Sequence, residues 1–110
     1  MAARRRETDC DTALATPGAV APPIDEVLAT MAKALGHPAR VAIVRLLAAQ
    51  AACVTGEVVA QVGLAQSTVS EHLRILREAG LVQATADGAR TQYCLNRSGL
   101  AQLQAGVAAF

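Results

Sequence analysis

Residues 64 to 82, LAQSTVSEHLRILREAGLV, limit the fold more than any other stretch. Gly63 and Gly80 bracket a run in which Val69, Leu73 and Leu76 recur at helical spacing. The front of the run is small and polar: Gln66, Ser67, Thr68 and Ser70. Arg74 and Arg77 follow, and Gly80 suits a helix C-terminal stop. Short hydroxyl and amide side chains at the front of a helix can enter a DNA major groove and reach base edges. Arginines further along can meet phosphates. The plain alternative is an amphipathic helix with a solvated face, and the flanking segments decide between the two.

Upstream, Ile24, Val27, Leu28, Met31 and Leu35 recur at helical spacing, with Asp25 and Glu26 in the first turn. Gly36 ends that helix, and Pro38 suits the first position of a second one. Val41, Val44 and Leu47 stripe this second helix to about Gln50. A break over residues 51–54 holds Cys53, and Thr55 is expected to cap a short third helix through Val58, Val59 and Val62. Downstream, Val82, Ala84 and Ala86 alternate with polar residues, Asp87-Gly88 is a hairpin turn signal, and Tyr93 and Leu95 alternate on the return. Leu100, Leu103, Val107 and Phe110 stripe a last helix. The expected fold is mainly α (α+β): a winged helix-turn-helix of about five helices with a two-stranded hairpin wing. In it, Gln66 and Ser70 lie near base edges, Ser67 and Thr68 belong to the same DNA-binding front, and Arg74 and Arg77 face phosphates. Arg90 touches the backbone or minor groove, and His72 supports the reading helix or contacts DNA.

The 110 residues suit one domain, and 53% are hydrophobic while only 2% are aromatic, so the core must be aliphatic. A domain this small gains from sharing a core with a second copy. Net charge is +1, so DNA affinity has to come from local placement of arginine. Residues 1–23 lack periodicity and carry Pro17, Gly18, Pro22 and Pro23; they read as a flexible arm holding Cys10, before a domain over 24–110. No apolar run reaches the ~18 residues of a membrane span, and MAARRRETDC lacks the apolar region of a secretory signal. A cytoplasmic protein is expected, and its three cysteines, an odd number, argue against a disulfide framework there.

The segments KALGHPARVAIVRLL, GLAQSTVSEHLRILREAGLV and DGARTQYCLN together resemble the ArsR/SmtB family of metal- and metalloid-responsive repressors. The resemblance spans about residues 27 to 97. It implies a homodimer built on the first and last helices, with Leu28, Met31, Leu103 and Val107 in the shared core. It also implies a pseudo-palindromic operator, released when ligand binds. Ala65 departs from the family, which commonly has a serine there; alanine is a poor N-cap, so either Ser67 caps instead or the helix start is slightly looser. Glu71 adds a negative charge near the reading face, or pairs with Arg74.

The family's sensor sites can be tested against these residues. Residues 97–110 contain no His and no acid, so a zinc site on the last helix is not expected. The family's C-V-C-D thiol pair is here Cys53-Val54-Thr55-Gly56, with one thiol. The resemblance to the arsenite-sensing subgroup implies thiols from the arm and from the third-helix region: Cys10 and Cys53. Thiolates select soft centres such as As(III) or Sb(III). A third donor would be Cys94, a small-molecule thiol or water. Cys94 is the less favoured ligand, and His37 is expected to cap or pack. Competing readings are a thiol-oxidation or persulfide sensor and a winged-helix protein-interaction module. An enzyme is not expected, because no His lies near a Cys in sequence.

Overall fold

The computed structural model describes residues 20–110. The expectation of a flexible arm, and with it Cys10, lies outside these residues apart from the last few positions before Ile24. Among the described residues are five α-helices: α1 (Asp25–Ala34), α2 (Pro38–Ala48), α3 (Gly56–Val59), α4 (Gln66–Glu78) and α5 (Arg97–Ala108). The strands are β1 (Val54–Thr55), β2 (Val82–Asp87) and β3 (Arg90–Leu95). The architecture is a winged helix-turn-helix, as the sequence predicts.

Local chemistry sets the boundaries. Pro38 opens α2, and the His37 side chain caps it by accepting from the Ala39 N–H at 3.0 Å. Arg40 reaches back to donate to the Ala34 carbonyl at 3.1 Å, satisfying an orphan acceptor at the end of α1. Ala65 is the N-cap of α4 with no side-chain cap bond, and Ser67 lies inside the helix rather than capping it. Thr55 stands at the N-cap of α3 but its side chain makes no capping bond. The 3-10 turn Ala60–Val62 extends α3, and Gly63, at φ 94°, turns the chain towards α4.

The core is aliphatic throughout. Met31, Ile43, Val59, Val69, Leu73, Leu76, Leu81 and Val82 are its most deeply buried members. Val69, Leu73 and Leu76 seal one side of α4 against it, as their spacing predicts. At the far end, Asn96 caps α5 by accepting from the Gly99 N–H at 3.1 Å, and its own N–H donates to the Leu81 carbonyl at 2.9 Å.

Three expectations are corrected. The β2–β3 hairpin is the expected wing, and a third antiparallel strand joins it in the order β1-β3-β2. Val54 pairs with Tyr93 and Thr55 with Gln92, so the segment read as a loop and a cap is an edge strand. The hairpin turns through Gly88-Ala89, because Asp87 pairs with Arg90; Gly88 takes the positive φ of 63°. Met31 and Leu103 are buried within the protomer at 1% and 6% exposure, which takes them out of a shared dimer seam.

Candidate nucleic-acid interface and cysteine pair

The helix-turn-helix presents α4 with its polar front outward. Gln66, Ser67, Thr68 and Ser70 are all exposed, while Val69 between them is fully buried. Gln66 sits in a cleft with Gly56, Glu57, Arg90 and Tyr93, between the starts of α3 and α4 and the wing. A Cβ on Gly56 would lie 2.9 Å from Gln66 Nε2, so the Gln66 amide rests directly against the start of α3. The hydroxyl cluster, the amide and the wing arginine therefore share one side of the molecule.

The charges on this side are partly engaged with one another. Arg74 donates through Nε to Glu71 at 3.0 Å and through Nη1 to Glu78 at 2.8 Å. Hydrogen bonds that Arg74 donates to Glu71 and then to Glu78 hold its pKa above its ordinary value. The Arg74 hydrogen bond in turn holds the Glu71 carboxyl below its ordinary range. Arg90 lies 3.7 Å from Glu57. Arg77 forms no ion pair among the described residues. A phosphate approaching Arg74 must displace two carboxylates, whereas Arg77 has no carboxylate among the described residues to give up.

His72 is removed from the expected DNA-contact set. It is only 9% exposed, and its ring packs against that of His37 with centroids 4.7 Å apart. Between supporting the helix and touching DNA, the geometry gives it the supporting role. Burial, then the neighbouring His37 and Arg40, push its pKa down.

The cysteines are arranged differently from the sequence expectation. Cys53 immediately precedes β1 and Cys94 lies on β3; continuing the Val54–Tyr93 register places them directly opposite. Their Cα atoms are 4.5 Å apart and their sulfurs are bonded as a disulfide. That separation matches a non-hydrogen-bonded antiparallel pair, the closer of the two kinds. The expectation of no disulfide is corrected to this extent, and the thiol beside Cys53 is Cys94, the one ranked behind Cys10. Cys10 lies outside the described residues, so no distance relates it to Cys53. The β-branched pair Val54-Thr55 was the trace of β1 in the sequence, and with it the Cys53–Cys94 register could have been drawn. Among the described residues, no three His, Cys, Asp or Glu side chains converge as a metal site.

The family model for bacterial regulatory proteins of the arsR family matches residues 37–84, from the cap of α2 to the start of the wing. The regulator CmtR of Mycobacterium tuberculosis is 40% identical over 78 residues, 71% of this chain and 65% of CmtR. The chain thus spans a little under two thirds of that relative. The solution structure of CmtR, named a cadmium metal-sensor, gives a TM-score of 0.52 at 42% identity, covering 68% of this chain and 76% of that one. The homodimeric winged helix-turn-helix domain of Mb0332 from Mycobacterium bovis gives 0.63 at 32% identity, covering 76% and 77%. The crystal structure of a "possible transcriptional regulator for arsenical resistance" gives 0.65 at 35% identity, covering 74% of this chain and 82% of that one. The motif, the fold and relatives matched over most of their length agree: this chain belongs to the arsR family of bacterial regulatory proteins.

Proposed function

We propose that the chain acts in the cytoplasm as a homodimeric transcriptional repressor that binds a pseudo-palindromic DNA operator. Trivalent arsenic or antimony, bound by cysteine thiolates, releases it. The observation that carries this reading is α4: a sealed apolar back and an exposed front of Gln66, Ser67, Thr68 and Ser70 beside the wing. That front suits base edges, and Arg77, Arg74 and Arg90 suit phosphates. The inducer side draws on Cys53, with Cys10 or Cys94 as the second thiol. It also draws on two relatives named for cadmium sensing and arsenical resistance, both thiophilic elements.

The test is direct. Duplexes are selected from a random pool by the reduced protein, and binding is followed by fluorescence anisotropy. Gln66→Ala and Ser70→Ala are expected to relax sequence preference, since a base-edge contact gives about 1–3 kcal/mol of discrimination. Arg77→Ala is expected to weaken all sequences alike and to reduce the salt slope by about 1. Wild-type specificity in the Gln66, Ser70 double variant counts against this docking. Arsenite, antimonite, cadmium, zinc and peroxide are then titrated onto the complex. Release by peroxide with no response to arsenite favours a thiol-oxidation sensor instead.

A further inference from the structure

We infer that Cys53 and Cys94 together form a two-thiolate binding site for a soft, thiophilic centre such as trivalent arsenic. It stands where the wing meets the helix-turn-helix. This deepens the inducer reading proposed above and rests on it.

Three observations support the site. The first is the cross-strand register, which holds the two side chains on the same face of the sheet at 4.5 Å between Cα atoms. Such a pair needs no backbone movement to act as a chelate. The second is access: Cys53 is exposed, Cys94 is half-buried, and both line an open cleft with Gln50, Ala52 and Arg97. The third is charge. Arg97 donates to the carbonyls of Ala48 and Gln50, at 3.3 and 3.4 Å, which fixes a cation in the cleft that two thiolates would occupy. The donor set is soft, and with no third described ligand it suits a trivalent centre with one exchangeable position better than a zinc tetrahedron.

The chemistry is ligand exchange, not oxidation. Starting from the reduced pair and arsenous acid, two S–H protons leave with two hydroxides as water. Two S–As bonds replace two As–O bonds, and one hydroxide remains on arsenic. The place of the site gives it leverage. Cys53 leads through β1 into α3, which packs on α4, and Cys94 lies on the strand that carries Arg90. A bridge between them sets the spacing of wing and reading helix. It releases DNA if the bridged spacing is the one that fits DNA less well.

The experiment uses the reduced full-length chain and sodium arsenite. Thiols are mapped by alkylation and mass spectrometry, with and without arsenite. Expected is protection of both Cys53 and Cys94. Cys53→Ser and Cys94→Ser should each lower arsenite affinity about 100-fold or more, as a chelate becomes a single contact. Cys10→Ser should stay within about tenfold of wild type. Protection of Cys10 and Cys53 with Cys94 still reactive overturns the inference, and needs no variant to be seen. DNA release is read separately. Release with Cys94 reactive sinks this site and leaves the repressor reading intact. Protection of the pair without release leaves the site and sinks the inducer reading. No arsenite binding at all sinks both.

Discussion

At the scale of single residues, the reading helix is shaped by groups that restrain one another. Arg74 is held between Glu71 and Glu78, so the charge that spacing assigns to phosphate is partly spent inside the helix. Replacing Glu71 by Gln loosens that clamp and removes a negative charge from the approach of DNA. Affinity should rise a few-fold and the salt dependence should steepen, in an anisotropy titration at several salt concentrations. Unchanged affinity and slope would show that Arg74 stays off the phosphates. His72 gives a second test. Its Nδ1 is buried with no partner among the described residues, and burial pushes its pKa below the ordinary 6.5. The unfolded chain therefore binds the proton more readily than the folded one. The stability this ring contributes is fully present above pH ~6.5 and falls as the pH drops through that value. Thermal melts of His72→Phe should show a flatter decline below pH ~6.5 than wild type, and its DNA preference should not change.

At the scale of elements, the ends of helices decide how firmly the wing is attached. Asn96 closes β3 onto Leu81 and caps α5, so Asn96→Ala should cost about 0.5–2 kcal/mol in denaturant melts. Gly99 is tighter still: a Cβ there would stand 2.0 Å from the Gly80 carbonyl oxygen. That oxygen is backbone and cannot swing aside, so Gly99→Ala should destabilise by about 1–3 kcal/mol or more. What the sequence made legible follows the same logic. The long helices showed because Val69, Leu73 and Leu76, or Val44 and Leu47, repeat over several turns. The hairpin showed because its alternation is bounded by a glycine turn. β1 did not show, because two residues are too few to alternate, and its existence depends on partners forty residues away. The Cys53–Cys94 pairing was hidden with it. The Arg74 clamp was half visible: Glu71 and Glu78 stand at i−3 and i+4, spacings that meet on a helix, so both carboxylates were within its reach. His72 was ambiguous for a related reason, since it follows Glu71 on the boundary between the two faces.

At the scale of the whole molecule, one surface is left without a partner among the described residues. Ile24, Val27, Val107 and Phe110 are exposed on α1 and at the end of α5, Ile24 by 67% and Phe110 by 96%. Leu28 and Val107 line a common apolar depression with Phe110. Gly106 packs against Leu28, which sets α1 and α5 side by side as one platform. This platform is the natural seam for the proposed homodimer, because large apolar groups gain from leaving water. The choice of test residue follows from burial. Leu103 is 6% exposed within the protomer, so charging it would report on folding and not on association. Phe110 touches water almost completely, so Phe110→Asp should leave the monomer fold intact, with far-UV circular dichroism and melting close to wild type. Val107→Glu combined with it removes most of the exposed seam. The double variant should sediment as a monomer at concentrations where wild type is a dimer. Two half-sites would then be bound one at a time, and operator affinity should fall about 100-fold or more while single half-site affinity is kept. A double variant that sediments as a dimer and binds the full operator normally places the seam elsewhere on the molecule.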